Sequence, residues 1–477
     1  MSNTSPYIIG NSSAEDRREP RRILSVDALR GFSVLLMVFA AVIPFGVLPS
    51  WMYHAQSPPP LHHPVFIPGI TWVDLIFPFF LFTMGIAIPL ALDKKLSSGV
   101  PLWRLILVQL KRSILLAVFA IYIYHVNPRV ICSVPDWKTW CLSLIGFVLL
   151  FPVLGRFPFR LSNAKQAILQ ISGIVLMAAY IAFLNGQGVH FSLYQSDIII
   201  LVLANVSFFG SIIWMISKNN FAFRIGFIII FLALKLSAAF PGWVHNIWVY
   251  SPAPWLWHLD YLKYLLIIIP GTIAGDLILK AQKNPDCITF NKTYLTASVL
   301  VLILVVTVVA GLKQRIGAEL FLFSVALTFF IRQLVLLKSG KGSLLAGISA
   351  WGILWLIIGF LFEPYEGGIK KDPATISYYF ITSGLASFVL AALYIMIDIA
   401  GKKKFFNLLI DSGRNPLIAY AGLNNLVFPL LMLLYIKPLL DMIFTTPWPG
   451  VIEGAIITWM LALATRFFTK LKIYLTA

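Results

Sequence analysis

Apolar residues fill long stretches of the chain, with polar residues confined to the short intervals between them. Runs such as "SVLLMVFAAVIPFGVL" (33–48) and "TASVLVLILVVTVVAG" (296–311) are continuous rather than alternating. Inside hydrocarbon only helices and closed barrels satisfy their own backbone hydrogen bonds, and a continuous run of this length selects the helix. The pattern predicts an all-α polytopic membrane protein. Helices are expected near 26–49, 71–93, 113–131, 140–155, 167–185, 197–217, 223–240, 262–280, 294–311, 317–338, 344–362, 376–399, 415–436 and 450–467. One or two short members suit a re-entrant or interfacial placement as well, so about eleven to fourteen segments cross the bilayer. No long polar interval separates them, so residues 23–477 read as a single transmembrane domain. Residues 1–22 are polar, without a signal peptide, and read as a disordered tail.

Composition agrees: 59% of the 477 residues are hydrophobic and 12% are charged, against about 25% charged in a soluble domain. The net charge of +18 changes the picture through its placement. Lys and Arg gather in alternate loops: "RREPRR" (17–22), "DKK" with "LKR" (93–95, 110–112), Arg156 with Arg160 and Lys165, Lys280 with Lys283 and Lys292, Lys338 with Lys341, "GKKKFF" (401–406) and "RFFTKLK" (466–472). The intervening loops 50–70, 186–196 and 241–261 carry none. This is the positive-inside pattern of a protein with both termini cytoplasmic, not a nucleic-acid stripe, and fourteen spans satisfy it. Cys132 and Cys141 flank the outer loop "SVPDWKTW", where an oxidising compartment would favour a disulfide.

With this topology all seven histidines fall at the outer face, three of them in "YHAQSPPPLHHP" (53–64). Histidine exchanges a proton near neutral pH, so a reaction centre at that face explains the bias. The alternative for His190, His245 and His258 is an interfacial belt, as in "WVHNIWVYSPAPWLWHLDY" (243–261). The proline run stiffens the loop that carries His54, His62 and His63. No H-E-x-x-H spacing accompanies them, and no metal is expected. Downstream, "GITWVDLIFPFFLFTMGIAIPLAL" (69–92) brings Asp74 into the membrane. An intramembrane acid is a functional candidate, and Thr71-x-x-Asp74 is also the spacing of a capping box.

"SVDALRGFSVLLMVF" (25–39) followed by "GITWVDLIFPFFLFTMGIAIP" (69–89) resembles the family of heparan-α-glucosaminide N-acetyltransferase and its bacterial relatives of the DUF5009 type. "GIKKDPATISYYFITSG" (368–384) and "SGRNPLIAYAGLNNL" (412–426) carry the resemblance toward the C-terminus. It implies a transmembrane acetyltransferase of a bacterial inner membrane. Acetyl-CoA from the cytosol is then the co-substrate, and the amine of a glucosamine-type sugar or related glycan at the outer face is the acceptor. A histidine of the first outer loop acts as base or as acetyl carrier. His54 keeps the family's "HA" setting but lies fifteen residues before Gly69, whereas His63 lies six residues before it and is followed by Pro64. The insertion "QSPPPLHHPVFIP" lies between the two halves of the motif, and His54, His63 and Asp74 are the catalytic candidates.

The donor's phosphates call for cations on the inner side. Arg30 fits that need, with an ion pair to Asp27 three residues earlier as its other reading. Asn415 in "RNPL" resembles a family position and equally suits a helix N-cap ahead of Pro416. Lys370 and Lys371 break the charge pattern on the outer side, either to meet an acidic glycan or as a solvated loop. A second copy of the chain is a further candidate partner. The competing function is a secondary transporter of amino sugars or oligosaccharides, since prolines such as Pro44, Pro78, Pro89, Pro270 and Pro429 interrupt several spans.

Overall fold

The computed structural model describes residues 22–57, 67–159, 162–284, 289–340 and 342–476. Apart from Arg22, the expected tail 1–22 lies outside the described residues, as do His62, His63 and the proline run. We label the principal helices α1 (Leu24–Val42), α2 (Trp72–Ser97), α3 (Leu102–His125), α4 (Trp137–Leu154), α5 (Ala164–Gly186), α6 (Ile198–Ser217), α7 (Phe221–Ser237), α8 (Leu259–Lys283), α9 (Lys292–Lys313), α10 (Ala318–Ser339), α11 (Leu344–Tyr365), α12 (Ile376–Ile399), α13 (Asn407–Arg414), α14 (Pro416–Leu433) and α15 (Pro447–Lys470). Among the described residues thirteen helices are long and apolar enough to cross a membrane, all but α7 and α13. At 17 residues, α7 is about 26 Å long, at the lower limit of a membrane span.

Helix starts follow from side chains that satisfy the first free N–H groups. Asp197 accepts from Ile200 N–H at the start of α6, and Ser343 from Ala346 N–H at the start of α11. The centre of the bundle is built from α2, α6, α8 and α12, and α5 and α10 are the most peripheral of the spans. One apolar core runs from Val26 to Leu475. The chain's first and last described residues meet at one end. There the two-residue strands β1 (Gly155–Arg156) and β2 (Tyr474–Leu475) pair antiparallel, and Asp27, beside Arg22, lies 3.7 Å from Arg414. The first loop after α1 belongs to the opposite end.

Cys132 and Cys141, for which the sequence leaves a bridge as one option, are both free in this structure. The Cys132 thiol turns back within its own loop to Val134 O at 3.2 Å, while Cys141 sits a turn inside α4.

Helix α13 packs so closely on α1 that two glycines are required. A Cβ at Gly31 would overlap the carbonyl oxygen of Leu409, and one at Gly413 would overlap that of Asp27. Gly31→Ala is expected to destabilise the protein by about 2–3 kcal/mol, since overpacked backbone has nowhere to move. Gly226→Ala on α7, where a Cβ meets open space, should be neutral or stabilising by up to ~1 kcal/mol. Thermal unfolding of the two variants in one detergent tests the contrast.

Candidate functional site

The first loop after α1 is pinned before it reaches its histidine. Tyr53 donates its hydroxyl proton to Pro44 O at 2.6 Å and accepts from Leu48 N–H at 3.0 Å. The next residue, His54, therefore projects from a fixed point. Helix α2 starts at the capping box read from the sequence, with Asp74 Oδ2 accepting from Thr71 N–H at 2.9 Å. Thr71 Oγ1 in turn donates to Tyr53 O at 2.6 Å, which ties the helix start to the loop.

Asp74 is fully buried and has two tasks. Its Oδ2 also accepts from Ala55 N–H at 3.1 Å, and its Oδ1 meets His54 Nδ1 at 2.7 Å. The capping and functional readings of Asp74 thus coincide in one carboxylate. An ionised carboxylate only accepts, so the proton of this contact belongs to Nδ1 and the Nε2 lone pair is left for chemistry. The imidazole keeps 44% of its side-chain surface exposed, against none for Asp74. The histidine is held from the protein side and open on the other.

A third element arrives from far along the chain. The loop between α11 and α12 brings Lys371 Nζ to 3.0 Å from His54 Nδ1 and 3.4 Å from its Nε2. The amine thus lies alongside the ring, nearer Nδ1 than Nε2. The same Nζ lies 3.9 Å from Asp74 Oδ1. Burial lowers the Lys371 pKa below that of an ordinary lysine, while Asp74 and Asp372 oppose the shift. Glu366 fixes the loop by capping α12 through Ile376 N–H at 2.6 Å and Ser377 N–H at 2.8 Å.

Two residues that sequence reasoning missed complete the clamp. Buried Gln56 donates to Ile67 O and Gly69 O, each at 2.9 Å, and accepts from Lys371 N–H at 3.0 Å. Tyr378 donates its hydroxyl proton to Asp74 O at 2.7 Å. Gln56 follows His54 by two residues and Tyr378 lies in the quoted "ISYY" stretch, but neither shows its long-range partner in a local pattern.

Of the sequence candidates, His54, Asp74 and Lys371 come together. His63 lies outside the described residues. Lys370 adjoins the cluster through its backbone, exchanging hydrogen bonds with Thr375. Arg30 and Asn415 stand apart, toward the other end of the bundle: Arg30 lies twelve residues before the end of α1, about 18 Å of helix. The anticipated hydrogen-bonded pair of Arg30 with Asp27 is replaced. Asp27 takes Arg22 in a two-pronged contact at 2.6 and 2.9 Å, and Arg30 turns inward to Thr83 O at 3.3 Å and Gly413 O at 3.5 Å. Asn415 occupies the N-cap position before Pro416 without capping. Its amide instead donates to Ile473 O at 2.8 Å and accepts from Leu475 N–H at 3.1 Å, fastening β2. Among the described residues no group of three His, Cys, Asp or Glu side chains is placed to hold a metal ion.

A family described as "Domain of unknown function (DUF5009)" matches residues 22–278, just over half of the chain and including all of α1, α2 and the His54 loop. Over 118 residues the chain is 34% identical to the Homo sapiens protein named heparan-alpha-glucosaminide N-acetyltransferase. That stretch covers 25% of this chain and 16% of the human protein.

Proposed function

The chain belongs to the DUF5009 family, and on that premise we propose that it is a membrane acetyltransferase. In this reading it moves an acetyl group from acetyl-CoA to the amine of an amino sugar or related glycan at the face carrying His54. The observation that carries it is the 2.7 Å contact of His54 with buried Asp74, which fixes the imidazole through Nδ1 and leaves the Nε2 lone pair unused by that carboxylate. Similarity to the human N-acetyltransferase supports the reaction class. The charge pattern of the loops supports a cytosolic position for the other face and both termini, and in this reading the donor enters the bundle from there.

Both routes available to His54 use the same nitrogen. As a base, Nε2 accepts the proton of the acceptor amine while that amine attacks the thioester carbonyl and the CoA thiolate leaves. As a carrier, Nε2 attacks the carbonyl and releases the thiolate. The amine then displaces the imidazole from the acetyl carbon and loses a proton. In either case positive charge grows on the ring and faces Asp74, while the carbonyl oxygen becomes anionic. Lys371, beside Nε2, is the nearest cation for that oxygen. Incubation with labelled acetyl-CoA and no acceptor separates the routes: label on His54 marks the carrier.

The enzyme reading is tested by following label from acetyl-CoA to glucosamine in proteoliposomes. Transfer supports it. A parent protein that neither binds acetyl-CoA nor labels any amino sugar sinks it and favours the transporter.

The pH profile tests Lys371. Its lowered pKa means that it sheds its charge at a lower pH than a free lysine does. If the charged form stabilises the oxyanion, activity falls on the alkaline side as pH rises through that lowered value. Arginine stays charged throughout, so Lys371→Arg should push the alkaline limb upward and keep activity within about tenfold at neutral pH. Lys371→Met should lose the limb and about 10²–10³ in kcat, the usual cost of removing one oxyanion donor. An unchanged limb in Lys371→Arg removes Lys371 from this role.

A further inference from the structure

At the end of the bundle opposite His54, a cavity of about 590 Å³ opens between α3, the end of α4 and α5. That volume falls within the range of small-molecule sites, ~300–1,000 Å³. Lys111 and Arg112 of α3 and Arg156 of β1 line it, and none of its described lining residues is acidic. Lys111 Nζ donates to Gln170 Oε1 across the opening at 3.2 Å. Arg112 stands close enough to Arg156 and to Arg30 for like-charge repulsion to act on both pairs. Lys111 and Arg156 thus offer two cations to an anion that enters the cavity.

The geometry of this site is built rather than incidental. Arg156 belongs to the strand that pairs with β2, Thr476 just beyond β2 donates to Leu154 O at 2.8 Å, and Asn415 holds β2 in place through both ends of its amide. This explains what a buried asparagine does at a helix start that it does not cap. It keeps the cavity's cationic wall in register with α3.

The other walls are apolar. Leu115 and Val153 line the interior, and Leu107 and Val108 are exposed on α3 at the mouth. Elsewhere on α5, Ile168 and Ile171 are exposed as well. Helix α5 packs on the end of α4 and touches α3 only lightly, which leaves an open seam between α3 and α5. A ligand suited to these surfaces has an anionic head for the cations and hydrocarbon for the seam.

We propose that this cavity binds the phosphate of an organophosphate with an apolar portion, the seam favouring the headgroup of an anionic phospholipid. Basic pockets between helices on the side that collects Lys and Arg are suited to such headgroups. The phosphates of CoA share the head chemistry, so the test separates the two sources. The lipid assignment does not depend on the acetyltransferase reading.

The experiment measures thermal stability of the full-length protein in mixed micelles against added dioleoylphosphatidylglycerol, dioleoylphosphatidylcholine or CoA. It compares the parent with the double variant Lys111→Gln/Arg156→Gln. Phosphatidylglycerol should raise the Tm of the parent, phosphatidylcholine should not, and the double variant should need at least about five times more phosphatidylglycerol for the same shift. The charge-keeping pair Lys111→Arg/Arg156→Lys should respond like the parent. If CoA instead gives the shift that the double variant loses, the phosphate site stands with the nucleotide as its source. Equal responses of parent and double variant to both probes overturn the proposal. Should the double variant fail to fold, native mass spectrometry of the parent decides. Retained phosphatidylglycerol in excess over phosphatidylcholine, or retained CoA, supports the site, and a parent that retains neither overturns it.

Discussion

Replacing His54 with alanine is expected to lower acetyl transfer by about three orders of magnitude or more while leaving acetyl-CoA binding intact. Either route runs through Nε2, so its removal leaves only the contributions of positioning and of Lys371, as in triad enzymes stripped of their base. Binding should survive because Arg30, the cation expected to meet the donor's phosphates, stands about 18 Å of helix from the His54 end of α1. The Tm shift produced by acetyl-CoA, set by RT ln(1 + [L]/Kd), should therefore match that of the parent. Stability should fall by no more than about 1–2 kcal/mol. The imidazole is half-exposed, and Asp74 keeps Ala55 N–H, Thr71 N–H and the nearby Lys371 as partners. His62→Ala and His63→Ala, measured beside it, should transfer label at rates near the parent's. If one of those abolishes transfer and His54→Ala does not, the reactive histidine belongs to the proline-stiffened insertion. The Asp74 contact is then only structural.

The parts of this molecule that were legible in the sequence are those whose cause is local. A run of apolar residues long enough to cross hydrocarbon has few alternatives to a helix, so most spans are where the pattern puts them; the segment expected near 113–131 instead runs Leu102–His125. The segment near 223–240 is helical but short, because polar Asn220 starts it and the turn after Ser237 ends it. The capping box at Thr71 and Asp74 was readable from spacing alone, as was the conflict between its structural and functional uses. The contact of Lys371 with His54 was not readable, since it joins residues 317 positions apart. It depends on how α2 and α12 pack, and no periodicity in either helix encodes that. In the sequence Lys371 stands out only as a charge on the unexpected side, and the structure brings it beside His54. Asp27 and Asn415 show the converse error. Each has a sensible local partner, a cation three residues on or a helix start, and each is held by another group: Arg22, five residues back, for the carboxylate, and the far-off backbone around β2 for the amide.

Asp74→Asn should uncouple the two tasks of that carboxylate. Two backbone donors, Ala55 N–H and Thr71 N–H, converge on Oδ2, so the single oxygen of asparagine is expected to take that position and keep the helix start. Its NH₂ group then faces His54 Nδ1 where Oδ1 had accepted. A donor there forces Nδ1 to accept, and the imidazole proton moves to Nε2, the atom that must offer a lone pair. The expected result is a loss of about 10²–10⁴ in kcat, as when a triad aspartate is amidated and the wrong tautomer results. KM for acetyl-CoA should be little changed, and stability should drop by about 1–2 kcal/mol. Asp74→Ala should differ in kind, because it leaves both backbone N–H groups without their acceptor in a buried site. Each costs about 1–3 kcal/mol, so this variant should lose stability and activity together. Nitrogen chemical shifts of the His54 ring check the cause directly, with the proton on Nδ1 in the parent and on Nε2 in Asp74→Asn. If the tautomer switches and kcat holds, neither the base nor the carrier role of Nε2 survives. If kcat falls while the proton stays on Nδ1, Asp74 acts through its charge on the ring and on Lys371, and tautomer control is not the reason for its burial.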